Sequence, residues 1–314
     1  MERKQPLLAV VGGINMDISG TPEKTMLYGD SNPGHVRFSP GGVGRNIAEN
    51  LCRLGARVTM YTALGDDASG LTIRKACREF GLDLSPALAV PDLPTSTYLC
   101  LNTPDGDLYA AVSDMDICQR ISPAYLALHL DELNRMDAIV ADANLPEESL
   151  TYLAEHCTVP LLADPVSVSK APRLKSCLHR LAAMKPNRRE AEVLTGLTIR
   201  TEADMKQAAN ALLELGLERV FISLGENGVY YADARGSGRV PICPGEIVNT
   251  NGCGDAFISA VALGCSEGAA TDRLALMGVS AAAVCAESPM AVSPDMSRAQ
   301  VINKMQLITG GEKQ

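Results

Sequence analysis

The stretch Ala138-Ile-Val-Ala-Asp-Ala-Asn-Leu-Pro-Glu-Glu-Ser-Leu-Thr-Tyr-Leu-Ala-Glu-His-Cys-Thr-Val-Pro-Leu-Leu-Ala-Asp164 decides the fold class. Ala138–Ala141 is a short apolar run that reads as a buried strand. Pro146–His156 opens on proline and continues with helix formers, and Val159–Asp164 is apolar again. Strand, helix and strand in so short a span form a βαβ unit, which makes the two strands parallel. The same rhythm extends in both directions. Upstream, Leu7–Val11 reads as a strand, Gly44–Leu54 as a helix stopped by Gly55, Val58–Thr62 as a strand and Leu71–Phe80 as a helix closed by Gly81. Downstream, Arg188–Thr195 and Thr201–Gly216 read as helices, Arg219–Leu224 as a strand, and Asp255–Cys265, Asp272–Cys285 and Ser297–Leu307 as helices. The expected fold is α/β, a mostly parallel central sheet with helices on both faces.

Two regions break the rhythm. Residues 16–39 are short pieces punctuated by Gly20, Pro22, Gly29, Pro33 and Gly34. Residues 87–112 hold three short strand candidates, with Pro-Asp-Gly at 104–106 as a hairpin turn. Both fit a small antiparallel sheet, a lid beside the open end of the parallel sheet. With no repeats and no obvious linker, residues 1–314 are expected to form a single domain with this lid.

Composition agrees. Of 314 residues 46% are hydrophobic, enough for a large core and too many for a disordered chain; Trp is absent, so Leu, Val, Ala, Ile and Met must build that core. The formal charge is −9, from 28 Lys plus Arg against 37 Asp plus Glu, without a long basic run, which argues against a nucleic-acid partner. Ten irregularly spaced cysteines form no Cys-x-x-Cys, and four histidines form no zinc motif, so the thiols point to a reducing cytoplasm. Leu7–Val11 is too short for a signal-peptide core, and Leu274–Ala286 falls short of the roughly 20 residues a membrane span needs.

Five segments can carry chemistry. Asn249-Thr-Asn-Gly-Cys-Gly-Asp255 opens an apolar helix, where unpaired backbone N–H groups and the helix dipole make an anion pocket at Gly252, Cys253 and Gly254. Asp255 at its edge is then a general base for a substrate hydroxyl, or else simply the helix N-cap. Ser39-Pro-Gly-Gly-Val-Gly-Arg-Asn46 brings backbone close to a ligand at Gly41 and Gly42 and offers the Asn46 amide to a diol, or is a capped turn. In Gly13-Ile-Asn15-Met-Asp17, directly after the first strand, Asp17 can accept from two sugar hydroxyls, or cap a turn. Asn187 and Glu190 in Lys185-Pro-Asn-Arg-Arg-Glu190 share a helix face suited to Mg²⁺ through water, or form a capping box. Ser223, Gly225 and Gly228 in Ser223-Leu-Gly-Glu-Asn-Gly228 can contact a nucleotide phosphate, or form a hairpin turn.

Taken in order, these five motifs resemble the ribokinase-like carbohydrate kinase family, over residues 7 to about 290. The resemblance implies a ribokinase-like fold with the sugar beneath the lid and ATP across the sheet edge. It implies that Asn15, Asp17, Gly41, Gly42 and Asn46 bind the sugar and that Asn187 and Glu190 organise Mg²⁺ and phosphates. It further implies that Ser223, Gly225 and Gly228 line the ATP side and that Asp255 is the base closing the Gly252-Cys253-Gly254 anion hole. Asp30-Ser-Asn-Pro-Gly-His-Val-Arg-Phe-Ser-Pro-Gly-Gly-Val-Gly-Arg-Asn46, Asp114-Met-Asp-Ile117, Val140-Ala-Asp-Ala-Asn144 and Asp164-Pro-Val-Ser167 look like the members that phosphorylate the 5′-hydroxyl of pseudouridine. On that likeness Ser31, Asn32, Asp114 and Asp116 are the polar lid groups available to a base. Asn144 stands where many members carry an acidic sugar ligand. Asn249 replaces an Asp that helps hold a monovalent cation, which argues against potassium activation, and Cys253 replaces the usual Ala. No DNA-binding segment like that of some relatives precedes Leu7. A homodimer joined through the lid is expected. Other readings of the same residues are a kinase for another nucleoside or a free sugar, and a non-catalytic ligand sensor, which has no need of a base at 255.

Overall fold

The computed structural model describes residues 5–310; residues 1–4 and 311–314 of the expected domain lie outside the described residues. The chain runs β1 (Leu7–Val11), β2 (Asn15–Pro22), β3 (Gly34–Gly41), α1 (Val43–Arg53), β4 (Arg57–Tyr61), β5 (Ala63–Gly65), α2 (Ala68–Glu79), β6 (Leu88–Val90), β7 (Thr97–Asn102) and β8 (Leu108–Asp114). It continues through α3 (Pro123–Leu128), α4 (Leu130–Leu133), β9 (Ala138–Asp142), α5 (Glu147–His156), β10 (Leu161–Asp164), β11 (Leu181–Met184), α6 (Arg188–Thr195) and α7 (Glu202–Glu214). Last come β12 (Arg219–Ser223), β13 (Val229–Asp233), β14 (Gly236–Val240), α8 (Cys253–Ser266), α9 (Thr271–Ala286) and α10 (Arg298–Ile308).

An eight-stranded sheet has the order β14-β13-β12-β11-β10-β9-β1-β4. From β4 to β12 all pairings are parallel, and β13 and β14 add an antiparallel edge. Its strands are continuous apolar runs because both faces are covered. Alternate residues of β1 divide between two cores: Leu8 and Val10 face α1, α8 and α9, whereas Ala9 and Val11 face α5, α6 and α7. The order reverses between β1 and β9, and a crevice opens there at the strand carboxyl ends, the usual ligand position in such sheets. Helix α8 is set against this crevice by Phe257, whose ring lies 5.7 Å from that of Phe221 on β12. A β-carbon at Gly278 of α9 would meet that Phe257 ring at 2.6 Å.

The strand at Leu181–Met184 is not signalled by the sequence. It is an Ala- and Met-containing tetrapeptide without alternation, and its strand form comes from complete burial between β10 and β12.

The lid differs from the sequence expectation in two respects. Its four strands have the order β3-β2-β7-β8, and β2 pairs with β7 in parallel, so the sheet is mixed rather than antiparallel. The first strand candidate of the 87–112 region, β6, leaves the lid and pairs with β5 in a separate two-stranded sheet. The turn at 104–106 is as expected, with Gly106 at φ 96 and the Thr103 N–H donating to the Asp107 carbonyl at 2.7 Å.

Strand pairing gives the lid two chemically distinct faces. Asp17, Ser39, Tyr98 and Ser113 are cross-strand neighbours on one face, with Arg37 and Cys100 beyond them. The opposite face carries Val36, Phe38, Leu99, Leu101 and Val112, all exposed.

Candidate active site

Helices α1 and α8 both begin beside the β1–β9 crevice, and both begin with glycine. Gly42 and Gly252 are their N-caps, and neither helix has a side-chain cap. By contrast α2, α6, α7 and α10 are capped by Asp67, Asn187, Thr201 and Ser297. No side chain occupies the first-turn N–H groups of α1 and α8, although the Arg45 N–H donates to the Gly13 carbonyl and the Cys253 N–H to the Thr250 carbonyl, both at 3.3 Å. At Gly252 no other residue fits, because φ is 79° and a β-carbon would sit 1.8 Å from the Ala291 carbonyl oxygen.

Asp255 is not the cap of α8, since the helix starts at Cys253 and the carboxylate belongs to its first turn. Asp255 is 9% exposed, and its Oδ2 accepts from Asn46 Nδ2 at 2.9 Å. Burial, then the neighbouring Asp164, pushes its carboxyl up to about 8, against the lowering effect of the Asn46 hydrogen bond and Lys185. A carboxyl poised near neutrality in the first turn of a helix without a side-chain cap is suited to accept a proton from a hydroxyl. Arg45 Nη1 donates to Asn46 Oδ1 at 3.1 Å, which fixes the orientation of the amide that in turn holds Asp255.

Asn15 and Asp17 lie in the lid strand β2 rather than in a turn after β1. Asn15 Nδ2 donates to Asp17 Oδ1 at 2.6 Å. The carboxylate occupies the space a side chain at Gly41 would need, for a β-carbon there would meet Asp17 Oδ2 at 2.1 Å. Burial raises the Asp17 carboxyl, while Asn15 and Arg45 work the other way. Burial raises both Tyr98 and Cys100; the Asp17 charge adds to the rise of Cys100 and, after Cys100, to that of Tyr98, in keeping with their shared face.

Below the lid, Asp142 ends β9 fully buried. The Gly13 N–H donates to its Oδ2 and the Asn144 N–H to its Oδ1, both at 2.8 Å. Burial nevertheless pushes its carboxyl up to about 6. Asn144 is buried against Gly13, and its Oδ1 accepts from Lys170 Nζ at 2.5 Å.

Lys185 is the residue the sequence reading left without a role. It follows β11 directly, is nearly buried, and its Nζ lies 2.9 Å from the point a β-carbon on Gly254 would occupy. Asp164 Oδ2 is 3.9 Å away. The ammonium group therefore stands over the first turn of α8. The signal was present in Lys185-Pro-Asn187, a cation at a strand's carboxyl end.

The remaining site candidates are placed as follows. Asn187 and Glu190 form a full capping box: Asn187 Oδ1 accepts from the Glu190 N–H at 3.0 Å, and Glu190 Oε2 from the Asn187 N–H at 2.8 Å. Burial raises the Glu190 carboxyl, and Asp164 adds to that rise. Asn187 also bridges Ser223 at the end of β12. Gly225 and Gly228 make the turn into β13, with the Gly228 N–H donating to the Gly225 carbonyl at 3.1 Å. The Cys253 thiol donates to the Asn249 carbonyl at 3.9 Å and the Cys285 thiol to the Ala291 carbonyl at 3.3 Å, and the neighbouring Cys285 thiol lowers that of Cys253. Asn249 is committed to its own loop, donating to the Pro289 carbonyl at 3.2 Å and accepting from the Asn251 N–H at 3.0 Å.

The lid-loop candidates are less closely gathered. Asn32 spends its amide on Leu27 and Asp30, and Ser31 is exposed. Asp114 is paired with Thr97, on the face opposite Asp17, and accepts from the Asp116 N–H at 3.3 Å. Among the described residues no group of three or more His, Cys, Asp or Glu is arranged to hold a metal by itself, and no helix is long and apolar enough to cross a membrane.

Comparison with known proteins agrees with this geometry. The model of the pfkB family carbohydrate kinases matches residues 5–297. Pseudouridine kinase of Escherichia coli (strain K12) is 36% identical over 306 residues, 96% of this chain and 97% of that one. An uncharacterized sugar kinase of the same bacterium is 31% identical over 97% of this chain and 85% of its own. A solved carbohydrate kinase from Agrobacterium tumefaciens superposes with a TM-score of 0.86 at 29% identity, over 97% of this chain and 98% of that one.

Proposed function

Since the chain belongs to the pfkB family of carbohydrate kinases, we propose that it transfers the γ-phosphoryl group of ATP to the 5′-hydroxyl of pseudouridine. The single observation that carries the transfer is Asp255: a buried carboxyl pushed up to about 8, oriented by Asn46, in the uncapped first turn of α8. The likeness to the E. coli pseudouridine kinase supports the choice of nucleoside.

In this mechanism Asp17, braced by Asn15, accepts from the two ring hydroxyls of the ribose. The 5′-hydroxyl then points to Asp255, which takes its proton as the oxygen attacks the γ-phosphorus and ADP leaves. The N–H groups of the 252–254 turn receive the equatorial oxygens, and Lys185 adds a full positive charge. Such charge placement supplies most of the acceleration in phosphoryl transfer. Ser223, Gly225 and Gly228 lie beside Asn187 on the nucleotide side.

The carboxylates fit a magnesium ion arriving with the nucleotide. Asp164 raises both Asp255 and Glu190 and Lys185 lowers both, so a cation near Glu190 and Asn187 would add to the compensation Lys185 already gives. When bound, the ion neutralises charge on the phosphates being separated. The exposed Val36, Phe38, Leu99, Leu101 and Val112 face of the lid supports a homodimer in which a second copy covers it. A single domain of one polypeptide carries the whole reaction.

The test is turnover with ATP and Mg²⁺ on pseudouridine, uridine, adenosine and ribose in parallel. The reading expects the highest kcat/KM with pseudouridine. Equal or better efficiency on uridine, ribose or adenosine would overturn the choice of substrate.

A further inference from the structure

The stretches Val140–Asn144 and Asp164–Ser167, of which only Asp164 bears on the transfer site, converge on one side chain. After β10 the backbone makes a tight reversal. The Ser167 N–H donates to the Pro165 carbonyl at 2.7 Å, and Val166 between them has φ 64°. Val166 is the one non-glycine residue with positive φ among the described residues, and it is β-branched. That is a strained γ-turn, a conformation that persists only where surrounding contacts enforce it. Here the Val166 N–H donates to Asp164 Oδ1 at 2.8 Å, and the Lys170 and Ala171 N–H groups both return to the Ser167 carbonyl. The reversal brings Lys170 back over the carboxyl end of β9, where its Nζ donates to Asn144 Oδ1 at 2.5 Å. Arg173 holds the segment below, donating to the carbonyls of Ala143, Asn144 and Leu145.

The charged neighbours of Lys170 are Asp142 and Arg173, with the Cys118 thiol beside them. Asn144 is committed at two atoms: its side-chain oxygen accepts from Lys170, and its backbone N–H donates to the Asp142 carboxylate. It is therefore a bridge that positions Lys170 rather than a direct ligand. Lys170 is only half-buried, and the hydrogen bond to Asn144 uses one of the three donors of its ammonium group.

The ribose has three edges to place. The 5′ end belongs to Asp255 and the hydroxyl edge to Asp17. The corner left for the glycosidic carbon is the floor at Gly13, and there Asn144 and Lys170 stand. We infer that Lys170 is a specificity-determining residue, held by Asn144 to donate to a carbonyl oxygen next to the glycosidic bond of a pyrimidine-type base. Uridine and pseudouridine both offer such a carbonyl, whereas adenosine does not. Lys170 therefore selects the class of base, and discrimination between the two isomers lies elsewhere. The inference rests on the nucleoside reading above.

The test compares binding of pseudouridine and of ribofuranosylbenzene, which has the same outline without carbonyls, to the wild type, Lys170→Met and Lys170→Arg by calorimetry. A charge-assisted hydrogen bond predicts that the preference for pseudouridine falls about 10- to 100-fold in Lys170→Met and is largely kept in Lys170→Arg. Folding of both variants is checked by thermal melting; because Lys170 is half-exposed, Lys170→Gln serves as a second charge-removing variant. An unchanged preference in folded Lys170→Met or Lys170→Gln overturns the role of Lys170 and leaves the nucleoside reading standing. Failure of the wild type itself to bind pseudouridine overturns both.

Discussion

Replacing Asp255 with Asn separates what the carboxylate does for the reaction from what its burial costs the fold. In the folded chain burial and Asp164 push this carboxyl from 3.8 up to about 8. A group raised in this direction supports the fold below its unfolded pKa, and the support is lost as pH climbs toward the folded value. Between those limits wild type loses about 1.4 kcal/mol per pH unit, and levelling near the folded pKa leaves roughly 2 kcal/mol lost from pH 6 to pH 8. Asparagine has no proton to give up there, and its carbonyl oxygen can still accept from Asn46. The stability of Asp255→Asn minus that of wild type should therefore grow by about 2 kcal/mol across this interval. Urea unfolding of both proteins at pH 6, 7 and 8 measures it. A difference that stays flat with pH would refute the reasoning that this carboxyl is desolvated and poised. The same substitution should lower turnover by about 10²–10⁴-fold with ATP binding retained.

Other consequences follow from the same geometry. Asp17→Ala removes charge-assisted hydrogen bonds of about 1.5–3 kcal/mol, so KM for the nucleoside should rise more than tenfold while KM for ATP stays put; steady-state kinetics in both substrates checks this. Lys185→Met takes the cation from above the first turn of α8 and should lower kcat about 10²-fold, with the nucleoside KM little changed, in single-turnover assays. Phe38→Asp combined with Val112→Asp places charge on the apolar lid face, and light scattering after gel filtration should then show a monomer where wild type shows a dimer. In wild type, kcat/KM should climb through neutral pH and level above about 8, as the free Asp255 carboxyl ionises.

The parts of this molecule legible in its sequence are those governed by local pattern. Apolar runs alternating with helical periodicity reveal the parallel sheet, and glycines mark the starts of α1 and α8. What escapes is set by distant contacts. Leu181–Met184 is a strand because it is enclosed, not because Ala and Met favour one. Asp17 falls in the region read as lid, but its cross-strand neighbours Ser39 and Tyr98 come from strands distant in sequence. Val166 looks like an ordinary strand-end valine, and nothing in its type announces a positive φ. Lys185 and Lys170 gain their roles from Gly254 and Asn144, partners supplied by other strands and helices. Asn187 and Glu190 satisfy the capping-box reading in full, so the role proposed for them with the nucleotide is supported only by the position of Asn187 beside Ser223.

The central claim is that this site phosphorylates the 5′-hydroxyl of pseudouridine. It is tested most directly by incubating the enzyme with ATP, Mg²⁺ and pseudouridine and locating the phosphate on the product by phosphorus–proton coupling in NMR. The account predicts one ADP formed per nucleoside consumed, with coupling to the two protons on C5′. Absence of any phosphorylated pseudouridine, or coupling to a ring proton instead, would contradict it.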